Sequence, residues 1–221
     1  MGSESKNIWS DVATVEKLKA LWGNRKRYYQ SENHARRSAV LMPFIYKDGE
    51  YCFLFEQRSS ALGSQPGEIC FPGGIMEGDE SGHRTAVRET CEELLITEDK
   101  IDLIAPMDVM SGPTGALLWP YLGEIKNYDY TFSTDEVDHV FTVPVSWFTE
   151  HEPRSYMADL VIIPREGFPY DLIPDGKNYH WRKKPREILF YKYDDYIIWG
   201  LTARLIHSFV TLFHDKSGLF F

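Results

Sequence analysis

Gly73-Gly74-Ile75-Met76-Glu77-Gly78-Asp79-Glu80, followed by Arg88-Glu89-Thr90-Cys91-Glu92-Glu93-Leu94-Leu95-Ile96, is the stretch from which the rest of this sequence is read. Between and through these runs, Ser81 to Leu95 contains no proline and spaces its apolar residues for a helix. At about 100° per residue, Val87, Cys91, Leu94 and Leu95 fall on one side, and Glu89, Glu92 and Glu93 gather on the other. The first side is expected to be buried. The second presents three carboxylates.

Like charges three and four positions apart destabilise a helix by roughly 0.2–0.5 kcal/mol a pair. A solvated acidic face is the plain explanation of such a run. A divalent cation offers another, because hard Mg²⁺ or Mn²⁺ prefers carboxylate oxygen and removes the repulsion. Arg88 can hold a carboxylate in one orientation through its planar fork. The glycine pair lets backbone approach a metal or phosphate closely and can offer a carbonyl ligand.

Gly74, five residues, Glu80, seven residues, then Arg88-Glu89-Thr90-Cys91-Glu92-Glu93 resembles the Nudix box. Ile96 fits its last apolar position, while Leu95 stands where the box has Gly. Upstream, Arg58-Ser59, Gly67 and Phe71-Pro72-Gly73-Gly74 resemble the signature of the coenzyme A diphosphatase branch, with Glu56 in place of Thr and Gly63 in place of Arg. Ile198-Trp199-Gly200-Leu201-Thr202-Ala203 resembles the same branch, so the likeness runs from about Arg37 nearly to the C-terminus.

The chain has 221 residues, enough for one domain with a sizeable core. Hydrophobic residues at 43% and charged residues at 26% argue against general disorder. A net charge of −9 disfavours nucleic acid as a partner. The same charge would repel an anionic substrate unless metal ions and local cations invert the field at the site. Cys52, Cys70 and Cys91 are odd in number, lack metal-site spacing and read as reduced and mostly buried. No apolar run is long enough for a membrane span, and the start lacks a signal-peptide core, so a cytoplasmic location is expected.

Working outward, Val12 to Trp22 has helical spacing with Gly23 as its stop. Ser38–Tyr46 and Tyr51–Glu56, separated by Lys47-Asp48-Gly49-Glu50, read as a β-hairpin. Arg58 to Phe71 is a loop, and Ser111 to Gly115 is either a substrate lid or a plain connection. Further strands are expected at Ile101–Ile104, Trp119–Ile125, Val140–Val143, Met157–Ile163, Ile188–Tyr193 and Tyr196–Ile198. The final run from Leu201 to Phe213 is an amphipathic helix. Two basic groups, Arg25-Lys26-Arg27 with Arg36-Arg37 and Arg182-Lys183-Lys184 with Arg186, are solvated surface or phosphate contacts, the second placed at a loop tip.

The resemblance implies a single α/β domain, a mixed β-sheet sandwiched between α-helices. Residues 1–36 would be a helical extension, about 37–150 the core, and 151–221 strands and a helix packed on it. It implies a metal-dependent diphosphatase using Mg²⁺ or Mn²⁺ on a small nucleotide, coenzyme A or its acyl derivatives in the favoured case. The competing substrates are ADP-ribose, NADH or a dinucleoside polyphosphate. A binding sensor without turnover is a third class, opposed by the presence of all the box acids. Glu89 and Glu93 are the principal ligands, because i and i+4 side chains lie nearly above one another. Glu92 is a further ligand or the base, and the Gly73 carbonyl and Glu136 are additional candidates. Arg88 orients the carboxylates and Glu80 supports them. Arg58, Ser59, Gly73 and Gly74 would meet substrate. Oligomeric state is left open, with a homodimer admitted.

Overall fold

The computed structural model describes residues 14–23, 37–113 and 115–217. The expected hairpin forms from β1 (Arg37–Lys47) and β2 (Glu50–Arg58), with Tyr46 opposite Tyr51. Asp48 at φ 52° and Gly49 at φ 93° turn the chain. Positive φ at both central residues matches the twist of the flanking strands.

Around this hairpin grows an eight-stranded sheet. Antiparallel partners of β2 are β3 (Ile69–Cys70) and β8 (Val137–Pro144), and β4 (Gly73–Ile75) pairs antiparallel with β1. On its other side β1 runs parallel to β7 (Leu117–Ile125), which pairs antiparallel with β5 (Ile101–Pro106) and β6 (Met110–Ser111). That single parallel pairing makes the sheet mixed.

Both faces are covered, which is why β1 and β2 read as nearly unbroken apolar runs. Ala39, Leu41, Ile45 and Leu54 join the core under helix α2 (Gly82–Leu94). Met42, Phe44, Phe53 and Phe55 point the other way, into a larger core with α1 (Thr14–Trp22), α3 (Val145–Glu150) and α4 (Gly200–Ser217). The expected α/β sandwich is what the chain forms. Helix α1 begins at Thr14, and Val12 and Ala13 lie outside the described residues. No helix among the described residues is long and apolar enough to cross a membrane.

A second sheet orders β11 (Tyr196–Trp199), β10 (Lys184–Tyr193) and β9 (Arg154–Leu160). Its Leu189, Tyr191 and Ile198 enter the same core as Phe44 and Phe53. Strand β9 ends at Leu160 because its partner there, Lys184, is the first residue of β10. The expected strand to Ile163 therefore overshoots, and Val161, Ile162 and Ile163 are exposed. The second basic group straddles the start of β10 instead of capping a loop. Of the first, Arg25, Lys26, Arg27 and Arg36 lie outside the described residues. The run after Ser111 is the turn of the β6–β7 hairpin, where Gly112 N–H donates to the Ala116 carbonyl at 2.7 Å.

Helix α2 corrects one expectation. Its buried residues are Gly82, Thr85, Ala86, Val87, Thr90, Glu93 and Leu94. Leu95, expected inside, is 60% exposed, and Glu93, expected on the open face, is only 2% exposed. The reason is close packing on the sheet: a Cβ at Gly82 would stand 2.9 Å from the Tyr121 hydroxyl and 3.1 Å from the Trp119 Cβ. Small residues, not large apolar ones, mark the face nearest the strands.

Leu95 ends the helix in the left-handed region, at φ 52° and ψ 45°. A non-glycine residue there costs about 1–2 kcal/mol, whereas glycine loses roughly 0.5–1 kcal/mol in chain entropy. Leu95→Gly should therefore stabilise the protein by up to about 1 kcal/mol, a rise of roughly 2–4 °C in Tm for a chain of this size. A lower melting temperature would show that the Leu95 side chain packs to greater effect than its exposure indicates.

Candidate active site

The box loop delivers Glu80 to the start of α2, where Thr85 Oγ1 donates to Glu80 Oε2 at 2.7 Å. One turn further on, Arg88 Nε donates to Glu80 Oε1 and Nη2 to Oε2, each at 3.2 Å. This fork, with the Thr85 hydroxyl, holds the Glu80 carboxyl down at about 2. Arg88 Nη2 also lies 2.9 Å from Glu89 Oε1, and Nη1 3.1 Å from Glu92 Oε2. One guanidinium thus joins three carboxylates of the box, with Glu92 the most exposed of them.

Glu93 turns toward the sheet, where its Oε2 accepts the Gly73 N–H at 2.8 Å. The glycine pair is held there by β1, with Val40 opposite Gly73 and Ala39 opposite Gly74. A Cβ at Gly73 would stand 2.2 Å from the Ala39 carbonyl oxygen, and one at Gly74 2.3 Å from the Glu89 carboxyl carbon. Glu89 and Glu93 therefore flank the two glycines, one carboxyl over each.

Glu136 arrives through a turn folded over the C-terminal end of α2. Thr131 Oγ1 donates to the Leu94 carbonyl and Ser133 N–H to the Glu93 carbonyl, each at 2.7 Å. Glu136 lies in that turn, directly before β8, and its carbonyl accepts the Ser59 N–H at 2.8 Å. Its negative charge helps push the Glu56, Glu89 and Glu93 carboxyls up. At the end of β2, the Arg58 N–H donates to the Glu68 carbonyl, and its own carbonyl accepts the Gly67 N–H. Arg58 Nε is buried and meets no hydrogen-bond partner. Ser59 Oγ accepts the Ala61 N–H at 3.3 Å, which braces the turn.

One site residue was weighed in the sequence only as a departure from a signature. Glu56, 1% exposed, stands on β2 opposite Cys70, whose thiol donates to Glu56 Oε1 at 3.2 Å. Oε2 is buried without a partner. Burial pushes the Glu56 carboxyl up, eased by the Cys70 thiol and the Arg58 charge. Burial, and then the charge of Glu56, pushes Glu93 up strongly. Strand periodicity carried the signal, since Glu56 continues the row of Leu54 that faces α2.

Among the described residues, no three His, Cys, Asp or Glu side chains converge on one ligating point. Glu89 is drawn to Arg88, and Glu93 to the Gly73 N–H. The donors nonetheless suit a hard divalent cation: they are oxygens, two carboxyls are almost fully enclosed, and one buried oxygen is unbonded. Three of the described members of the two basic groups have other partners. Arg186 Nη2 reaches the Ser111 carbonyl at 3.4 Å, Lys183 lies 3.9 Å from Asp159, and Arg37 Nη2 bonds the Gly78 carbonyl of the box loop at 3.1 Å.

A family model described as the NUDIX domain matches residues 35–165, more than half of the chain. The chain belongs to the Nudix family. It is a Nudix hydrolase, an enzyme of pyrophosphate bonds, and hydrolases of this family use divalent metal ions. The Photorhabdus laumondii protein named "Uncharacterized Nudix hydrolase NudL" is 30% identical over 180 residues, covering 80% of this chain and 84% of its own. "Peroxisomal coenzyme A diphosphatase NUDT7" of Mus musculus is 31% identical over 145 residues, 65% of this chain and 60% of its own. Among solved structures, a C. elegans Ap4A hydrolase is similar over 49% of this chain and 80% of its own, with TM-score 0.43 and 20% identity.

Proposed function

We propose that this Nudix hydrolase cleaves the diphosphate of coenzyme A or an acyl derivative, releasing 3′,5′-ADP and 4′-phosphopantetheine or its acyl form. The observation that carries the proposal is Arg58, a cation at the motif position whose Nε is buried and unbonded beside an acidic cluster. An anionic group of the substrate would complete it. Similarity to a relative named as a coenzyme A diphosphatase points the same way. The second reading, another dinucleotide such as ADP-ribose, NADH or a dinucleoside polyphosphate, rests on Glu56 and Gly63. Gly63 has no side chain to supply the cation of that signature position.

In this proposal Glu89 and Glu93 hold the cation, with Glu92, the Gly73 carbonyl and Glu136 as further donors. When bound, a divalent cation neutralises diphosphate charge and makes water more acidic. Glu92 is exposed enough to take the proton as the water oxygen bonds to phosphorus and the bridging P–O bond breaks. Arg88 and Glu80 fix the carboxylates from behind. Arg58 binds the substrate's phosphate, and Ser59 and the glycine pair shape the backbone around it.

Product identification after incubation with coenzyme A, ADP-ribose and NADH in Mg²⁺ or Mn²⁺ tests the substrate. Coenzyme A carries a 3′-phosphate that dephospho-coenzyme A lacks, and a charge-assisted contact is worth about 1.5–3 kcal/mol. Wild type should therefore prefer coenzyme A by roughly 10- to 150-fold in kcat/KM. Arg58→Ala should weaken coenzyme A far more than dephospho-coenzyme A, shrinking that gap. Equal hydrolysis of both by wild type would favour the general dinucleotide reading.

A further inference from the structure

We infer that Glu56 is an additional carboxylate ligand of the divalent cation, reaching it from strand β2 across from the box glutamates of α2. The inference rests on the reading of Glu89 and Glu93 as metal ligands. It adds a donor from outside the box, at a position where the coenzyme A diphosphatase signature has Thr.

Glu56 is placed by register. It lies on the α2 face of β2, two residues beyond Leu54, where a core residue would be apolar. Instead it is a carboxylate, 1% exposed, with Oε2 lacking any hydrogen bond. Buried polar atoms are nearly always bonded, and an unmet one in a native fold calls for a ligand, ion or water. Arg58 is the cation that acts on it, but no donor reaches Oε2. Cys70 offers only a thiol, a weak donor, and that thiol engages Oε1. The held Oε1 leaves Oε2 as the free oxygen.

The surrounding charges identify the missing partner. Glu56 is the foremost charged neighbour acting on Glu93, and Glu89 and Glu136 act on both of them. These four carboxylates come from β2, α2 and the turn before β8, and the cation that acts on Glu56 is Arg58. No hydrogen bond reaches Glu56 Oε2, and once ionised these carboxylates have none to donate to one another. A hard cation with several oxygen ligands can satisfy such a group of acceptors.

Mn²⁺ binding to the full chain, stripped with chelator and followed by calorimetry or by the spin resonance of free Mn²⁺, tests the assignment. Wild type, Glu56→Gln, Glu56→Asp and Glu93→Gln are compared, each with its melting temperature with and without Mn²⁺. Glu56→Gln should bind Mn²⁺ at least about 10-fold more weakly and lose much of the Mn²⁺-induced rise in melting temperature, while its metal-free melting temperature does not fall. Glu56→Asp, which keeps the charge but withdraws it by one methylene, should also weaken binding and serves if the glutamine variant does not fold. Unchanged Mn²⁺ affinity in the Glu56 variants, with Glu93→Gln impaired, overturns the Glu56 assignment and leaves the box reading intact. Absence of Mn²⁺ binding by wild type overturns both.

Discussion

Glu93→Gln should lower turnover by about a thousandfold or more and weaken divalent binding, yet leave the metal-free protein at least as stable as wild type. A cation's stabilisation of transition-state charge is worth several kcal/mol, and each 1.36 kcal/mol is tenfold in rate. Glutamine keeps the shape and still accepts the Gly73 N–H, so the loss isolates the charge. Stability moves the other way. The native Glu93 carboxyl titrates above the ordinary 4.5, raised by burial and by Glu56. The unfolded chain therefore releases that proton first as pH rises, and native stability declines above pH 4.5. Glutamine has no such decline. In chelator, the variant's advantage should be absent near pH 4 and grow toward neutrality, read by denaturant melts at each pH. Full turnover at saturating Mg²⁺ would remove Glu93 from the ligands, and a loss of stability at every pH would mean its charge is paired.

The same residue shows where sequence patterning succeeds and where it stops. Helix α2 was legible in its extent, because Ser81 and Leu95 bracket an uninterrupted helical run. Its rotation was legible only in part. Hydropathy chose Val87, Cys91, Leu94 and Leu95 as the inner face; Val87 and Leu94 are buried and Leu95 is exposed, and the helix lies on β1, β4 and β7 through Gly82, Ala86 and Thr90 as well. Size mattered more than polarity, since only small residues allow that approach. The paired strands were legible because two apolar runs flank the turn chemistry of Asp48-Gly49. The two-residue strands Ile69–Cys70 and Met110–Ser111 are too short to carry a period and exist only through their partners. Arg88 and the box acids were found by spacing. The environment of Glu56 depends on contact with Cys70 and proximity to Glu93, and pairings across 14 and 37 positions leave no mark in a local pattern.

Gly73→Ala and Gly74→Ala, adjacent and chemically identical changes, should fail in different ways. At Gly73 the new methyl would sit 2.2 Å from the Ala39 carbonyl oxygen and 2.6 Å from the Val40 Cα. Both are backbone atoms of a central strand, so relief requires moving β4 off β1. Such a clash within a packed sheet falls in the class of severe lesions, about 4 kcal/mol or more, and the expected result is loss of cooperative folding at elevated temperature. At Gly74 the methyl would meet the carboxyl group of Glu89, with all three nearest atoms between 2.3 and 2.5 Å. That group is the far end of a flexible side chain already 2.9 Å from Arg88, so it can swing away at little cost to the fold. The movement takes Glu89 off the glycine pair. Displacing a reacting or ligating group by about 1 Å costs on the order of 100-fold in rate. Gly74→Ala should therefore melt within a few degrees of wild type, bind divalent cation more weakly and lose at least that factor in kcat. A Gly74→Ala protein with full activity would show that the Glu89 carboxylate is not needed where it now stands. One that unfolds like Gly73→Ala would show that the strand, not the carboxylate, yields to the methyl.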